Sequence, residues 1–354
     1  MATLTETAVA VKKLIKISVL AIVILLVFKL GLFIFNTYLK VVKPPPPTPA
    51  TVTFGKLPTI IFPEKLHPEL TLRLETPSGG TPNLGDKATV YLMPTFRSNF
   101  MALDQAKQTA KNMNFTNTPK EITERRYRWE SEEFLPSVLE MDIITGSFSL
   151  KRNWQADPTI LSDKQLRGKE QAVAQAKNFL RQVGLLNDEL SQSRAEITYL
   201  TFSAGQYQKA ISLSEADFVQ VDLFRADLDE NKVLTPDPEK GIVRIIFSGS
   251  REVEKQIIQA EYNYFPVNLE QSGTYPIKTA SQAWRELQTR QGFIASIGQN
   301  AGGVVAIRKI YLAYFDGESS NGFLLPIIVF EGDNGFYGYA QAINNEWLET
   351  APAN

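Results

Sequence analysis

The chain contains no cysteine. Disulfides, thiol catalysis, lipobox-type lipidation and cysteine-based zinc or iron–sulfur centres are therefore excluded. It contains one histidine, His67. A Ser-His-Asp triad would have to use that residue, and a multi-histidine metal site is impossible. His67 sits in PEKLHPEL, a proline-flanked turn, and reads as a solvent-exposed loop residue. Any enzymatic reading must then rest on carboxylates, Lys, Tyr or Ser.

Charge is scarce in net terms, at −1 for 354 residues, but it is unevenly placed. Residues 1–43 carry six lysines and one glutamate, which leaves 31 basic and 37 acidic side chains and a net charge of −6 for the rest. A mildly acidic main body argues against nucleic acid as a partner. The length suits two or three domains, and 44% hydrophobic residues is ordinary for a folded chain.

The longest apolar run is ISVLAIVILLVFKLGLFIFNTYL, Ile17 to Leu39. As a helix it reaches about 34 Å, enough to cross a bilayer with some tilt. Lys12, Lys13 and Lys16 precede it, and Lys40 and Lys43 follow. That bias, with the short leading tail, predicts an N-terminus inside and a main domain outside a bacterial cytoplasmic membrane. No small-residue cleavage signal follows closely, so a retained single-pass anchor is expected. Lys29 falls near the middle of the run, where an ammonium costs roughly 2.5–3.5 kcal/mol on insertion scales. At about 100° per residue, Ser18, Lys29, Asn36 and Lys40 fall within roughly 40° of one another. Two readings stay open. Lys29 snorkels to the surface, or Ser18, Lys29 and Asn36 form an intramembrane contact with another helix.

KPPPPTPATVTFG, Lys43 to Gly55, reads as a semi-rigid polyproline linker. Beyond it, strands outnumber helices. Three rounds of helix followed by strands are expected, with helices in SNFMALDQAKQTAKNMNF (Ser98–Phe115), KEQAVAQAKNFLRQVGLL and TASQAWRELQ. The second presents Ala172, Ala176, Phe179, Leu180 and Val183 on one side, with Gly184 as its C-cap. The third starts at a Thr279–Gln282 capping box and buries Ala283, Trp284 and Leu287. In DFVQVDLFRA, Val219, Val221 and Leu223 point inward, and Gln220, Asp222 and Arg225 alternate with them. DNG (Asp333–Gly335) predicts a hairpin turn.

TYPIKTASQAWREL, IRKIYLAYFDG and LLPIIVFEGD together resemble the C-terminal unit of PepSY-like and YycH/YycI-type membrane-anchored extracytoplasmic proteins. The resemblance is motif-level over Thr274–Ile343 and architectural elsewhere. It implies an α+β fold: a single N-terminal transmembrane helix followed by repeated helix-on-antiparallel-sheet units. The expected division is a short cytoplasmic tail (1–16), an anchor (17–39), a Pro-rich linker (40–56), a first α+β unit (57–158) and PepSY-like C-terminal units (159–354). The resemblance also implies a regulatory role through protein contacts, modulating a membrane sensor kinase or an envelope peptidase.

Candidate chemistry is sparse. ADLDENKV places Asp227, Asp229 and Asn231 like a calcium loop, but Lys232 and Pro238 stand where that loop needs Gly and Glu, so a hairpin turn is expected. Glu331 and Asp333 in FEGDNG could serve as an acid–base pair, yet they flank a tight turn. The glycine pairs of ETPSGG and NAGGVV lack a phosphate-loop pattern. Tyr262, Tyr264, Phe265, Tyr311, Tyr314, Phe315, Phe336, Tyr337 and Tyr339 alternate along strands and read as core, with an exposed groove for a peptide or glycan as the alternative. No catalytic residue, cofactor or metal is called for. The sequence points to a non-catalytic binding or regulatory protein with a protein partner. The rivals are a carboxylate-based envelope hydrolase and a structural component of a surface or secretion assembly.

Overall fold

The computed structural model describes residues 4–42, 48–96, 99–319 and 321–349. The chain divides into two compact units, Met1–Pro49 and Ala50–Asn354. The described part of the first is dominated by one unbroken helix, α1 (Leu4–Val42). Within it Ile15–Thr37, with a mean hydropathy of 2.9, is long and apolar enough to cross a membrane. This stretch begins two residues before the expected Ile17, because apolar Ile15 outweighs Lys16 next to it. The expected tail is helical from Leu4. Lys43 lies outside the described residues, as does the side chain of Lys40.

The second unit is α+β, with sheet predominating. It opens with β1 (Leu70–Leu74), β2 (Lys87–Leu92) and α2 (Ala102–Asn112). Strands β3 (Lys120–Glu121), β4 (Arg126–Ser131), β5 (Ser137–Asp142) and β6 (Phe148–Arg152) follow. After the single turn α3 (Thr159–Ser162) come α4 (Lys169–Gln182) and the turn α5 (Asp188–Ser191). Next are β7 (Arg194–Ser203), β8 (Gln206–Lys209), β9 (Phe218–Phe224), β10 (Val233–Leu234), β11 (Val243–Ser248) and β12 (Ile257–Tyr262). The chain ends with β13 (Asn268–Pro276), α6 (Ala280–Gln288), β14 (Phe293–Ser296), β15 (Gly303–Phe315), β16 (Phe323–Gly332) and β17 (Phe336–Gln341).

Nine strands form an antiparallel sheet in the order β3-β4-β5-β6-β12-β11-β9-β7-β8. Read outward from the β6–β12 pair, both halves run back through a meander toward a helix, α2 on one side and α4 on the other. Both helices bury small faces on this sheet. Ala106 and Ala110 from α2, and Ala172, Ala176, Phe179 and Leu180 from α4, share a core with Trp129, Leu139, Leu150, Val221 and Ile245. The helix of the first round is shorter than expected and starts at Ala102. Ser98 lies outside the described residues, and Asn99 Oδ1 accepts from Met101 N–H at 2.8 Å instead. Gly184 has φ +79°, the left-handed backbone that its C-cap place requires.

The other sheet has eight strands, with β1-β15-β16-β17-β14 as its main path. The third round therefore differs from the first two, because β14 pairs with β17 and not with the strand that follows it. β15 is long enough to take two parallel partners, β1 on Gly303–Ile307 and β10 on Tyr314–Phe315. β16 changes partners along its length, from β2 at Phe323–Leu324 to β17 at Ile327–Gly332. Pro326, which lacks a donor, sits between those two stretches. β2 pairs with β13, and the chain after β17 returns to β13 through Ile277↔Ile343. The hydrogen bonding thus closes a ring: β16, β17, β13, β2 and back to β16. α6 packs on this sheet with its Thr279–Gln282 capping box formed as expected. Ala280, Ala283 and Leu287 are buried, whereas Trp284 is only partly buried and meets Phe330 at 5.7 Å.

Two expected boundaries differ from this arrangement. Residues 43–47 of the linker lie outside the described residues, but its far end belongs to the second unit. Val52 N–H donates to Thr274 O at 3.0 Å and Phe54 N–H to Tyr275 Oη at 2.7 Å. Leu57, fully buried, donates to Trp347 O at 2.8 Å. Phe54 and Leu57 are apolar enough to seek the core. A division at 158/159 would also cut the nine-stranded sheet, which runs without interruption from β6 into β12.

Candidate functional site

Two places in the molecule gather polar groups in unusual surroundings. The first is α1. Ser18, Lys29 and Asn36 lie on its exposed surface, and the intact helix keeps them on one line. Every described side chain of Ile15–Thr37 is exposed, including Ile22 (59%), Leu25 (57%) and Leu32 (45%). Lys29 lies about 12 Å along the axis from the C-terminal end of that span.

The second is the junction of the two sheets, which turns on Arg225. Gln220 and Asp222 alternate with the inward residues of β9, whereas Arg225, one residue past its end, shares the odd parity of Val219, Val221 and Leu223 rather than alternating with them as expected. Arg225 and Asp222 are both buried, at 3% and 2% exposure. The reason is that both faces of this strand are covered. The helices lie on one side. A second apolar cluster of Leu135, Trp154, Ile160, Phe218, Ile246 and Ile258 forms on the other. Burial of charge then demands partners. Asp222 accepts from Arg244 Nε at 2.7 Å, Gly241 N–H at 3.0 Å and Gln220 Nε2 at 2.7 Å. A side chain at Gly241 would collide with the Leu223 carbonyl, so glycine lets the two backbones approach.

Arg225 donates from Nε to Asp316 Oδ2 at 2.9 Å and from its terminal nitrogens to Glu189 Oε1 and the Phe265 carbonyl, both at 2.7 Å. Its guanidinium lies 5.1 Å from the centre of the Tyr264 ring, and Tyr264 Oη donates to Glu189 Oε2 at 2.8 Å. Asp316 follows β15, and its N–H donates to Leu234 O at 2.9 Å. One guanidinium thus joins β9, α5 and the end of β12 to the eight-stranded sheet. Its counter-charges are two carboxylates, one of them wholly buried. Asp316 Oδ1 meets no donor among the described residues. Burial pushes the Asp316 carboxyl above its usual range, against the pull of Arg225. Burial alone would lower Arg225, but Asp316 and Glu189 outweigh it. Tyr264 is pushed up to about 12 by burial and by Glu189.

A groove of ≈ 910 Å³ opens beside this junction, over the helix-free face of the nine-stranded sheet. Arg125, Glu140, Lys240, Glu261, Phe265 and Glu318 are among its lining. Opposed positions across the strands form a charged row, Arg128–Glu140–Ser149–Glu261–Arg244–Asp222–Glu196. Ion pairs neutralise much of it: Arg128 with Glu140, Lys240 with Glu261 at 2.5 Å, and Arg244 with Asp222. The groove therefore presents charges whose signs largely cancel, beside the apolar side chains of Phe96, Met141, Phe148 and Phe265.

The other sequence candidates are held in structural contacts. Asp229 Oδ2 accepts from Tyr91 Oη at 2.6 Å and Tyr314 Oη at 3.3 Å, pinning a turn in which Asp229 and Glu230 both have positive φ. Glu331 pairs with Lys309 at 3.2 Å. Arg308 grips both oxygens of Asp333, at 2.8 and 2.7 Å, and holds its carboxyl below the usual range. The two carboxylates are thus each engaged by their own cation. His67, expected in solvent, is partly buried. Burial lowers its pKa, and a hydrogen bond to the Ile294 backbone offsets part of that. Of the nine aromatics expected in the core, Tyr262, Phe265, Tyr314, Phe315, Phe336 and Tyr339 are buried, while Tyr264, Tyr311 and Tyr337 are only partly buried.

No protein-family model matches the chain, and no curated protein matches it. Among solved structures, the chain is similar to an uncharacterized protein from Eubacterium rectale, at 14% identity and a TM-score of 0.33, over 82% of this chain and 86% of that one.

Proposed function

We propose that this is a single-pass protein of the bacterial cytoplasmic membrane, with its N-terminus inside and residues 50–354 outside, that regulates another membrane protein through direct contacts. The observation that carries the reading is the placement of polar residues in α1. Between Ile17 and Asn36 the chain has three polar side chains, Ser18, Lys29 and Asn36, and all three share one line of an otherwise apolar helix. Polar groups within a membrane span are costly and tend to face partners. The outer unit adds a charge-balanced groove to the contact surface. The helix-then-meander order of its first two rounds supports the PepSY-like or YycH/YycI-like reading, and with it a sensor kinase or an envelope peptidase as the regulated protein.

Crosslinking in the native membrane, followed by co-purification in mild detergent, tests this. Lys29→Leu and Asn36→Leu should each lower recovery of the same partner, partially, because an interhelical hydrogen bond contributes only about 0.6–2 kcal/mol. Val27→Leu, on the opposite face, should not. Protease added to intact spheroplasts should digest residues 50–354. Protection of that unit would reverse the orientation, and equal partner recovery from all four proteins would remove the helix from the contact.

A further inference from the structure

We propose that Ser18, Ile22, Leu25, Lys29, Leu32 and Asn36 form a packing seam for one transmembrane helix of another protein, and that this helix carries a carboxyl side chain level with Lys29. The proposal rests on the membrane reading above and names the chemistry of the partner.

The six positions are separated by four, three, four, three and four residues. That is the spacing that keeps side chains in the seam of two helices crossing at a shallow left-handed angle. At about 100° per residue the six positions lie within roughly 80° of one another. α1 runs unbroken through all of them, and the apolar members are exposed. The polar members punctuate this seam at three heights. Asn36 lies about 10 Å along the axis from Lys29, and Ser18 about 16 Å in the other direction. Polar residues in such a seam set register, because a shifted partner would set apolar groups against them.

Two occupants compete for the seam, and charge decides between them. A second copy in parallel two-fold pairing would place Lys29 against its own equivalent. Two ammonium groups facing each other in hydrocarbon repel with little screening and leave their donors unpaired. A carboxyl group at that depth accepts those donors and neutralises the charge. Asn36 supplies both a donor and an acceptor, and Ser18 a hydroxyl, so neither demands a charge from its partner.

The chain lacks cysteine, so one can be introduced for a single label. Full-length protein labelled at Phe35→Cys, off the seam, is placed in zwitterionic vesicles with synthetic Leu-Ala transmembrane peptides carrying Glu, Gln or Leu at their centre. Energy transfer reports association. The Glu peptide should associate about 3- to 30-fold more tightly than the Leu peptide. That preference should vanish in Lys29→Leu and persist in Val27→Leu. Equal association of the Glu and Leu peptides, or a preference that survives Lys29→Leu, would overturn the proposal. So would efficient disulfide formation between copies of a Leu25→Cys protein, which would seat a second copy on the seam. If the peptides show no preference while native crosslinking still finds a partner through residues 50–354, the seam falls and the regulatory reading stands.

Discussion

Replacing Arg225 with leucine would leave Asp316 buried without its cation, and such losses cost about 3–5 kcal/mol. A urea midpoint within experimental error of the parent's would show that the cluster holds nothing together. Asp316→Asn is the more informative change. The folded-state pKa of Asp316 is raised, so the stability it contributes is fully present below its unfolded value and is lost as pH rises through the folded one. The parent should therefore lose stability relative to Asp316→Asn as pH rises from about 4. Thermal unfolding of both proteins across that range reads the difference, and parallel curves would refute the sign. None of this was legible in the sequence. A charged residue just past the end of an alternating strand looks solvated, and the groups that enclose Arg225, from Glu189, Tyr264, Phe265 and Asp316, are distant in sequence. Asp316 gave no sign either, because its partner is 91 residues away.

At the scale of elements the sequence was far more readable. The apolar positions of α4 and the cap of α6 are local patterns, set by side chains three or four residues apart, and both formed as expected. Thr279→Ala should cost about 1 kcal/mol, the usual loss for a hydroxyl cap. Trp284→Ala should cost about 2 kcal/mol, short of the roughly 3–5 that a wholly buried aromatic gives, because the indole is only partly covered. A melting temperature unchanged in Trp284→Ala would place the ring in solvent. Strand existence was also legible from alternation, but strand pairing was not. Nothing local tells β14 to pair with β17, or tells β16 to exchange β2 for β17 at Pro326.

The whole molecule was legible in outline, as one apolar helix and a strand-rich body, and illegible in its boundaries. Proline composition marked a linker, yet Val52, Phe54 and Leu57 hold that segment's end to β13 and to the chain after β17. A fragment of residues 50–354 should accordingly be more stable than one of residues 57–354, by about 2 kcal/mol for the lost packing of Phe54 and its backbone pairing. Chemical denaturation of the two fragments compares them directly, and coincident curves would return those residues to the linker.

The interleaving of the sheets has a consequence in time. The nine-stranded sheet is drawn from residues 120–262, a single stretch of chain. The eight-stranded sheet needs β1 and β2 from before that stretch, the two-residue β10 from within it and β13 to β17 from after it. At about 5–20 residues per second of synthesis, β2 must wait roughly 10–35 s for β13 to be made. Through that interval β1 and β2 have edges but no neighbours, and an unpaired strand invites the wrong one. Assembly therefore proceeds from the middle of the chain outward. In pulse-chase proteolysis, protection of residues 120–262 should precede protection of residues 70–92. A nascent chain halted before β13 should be the form most prone to aggregate.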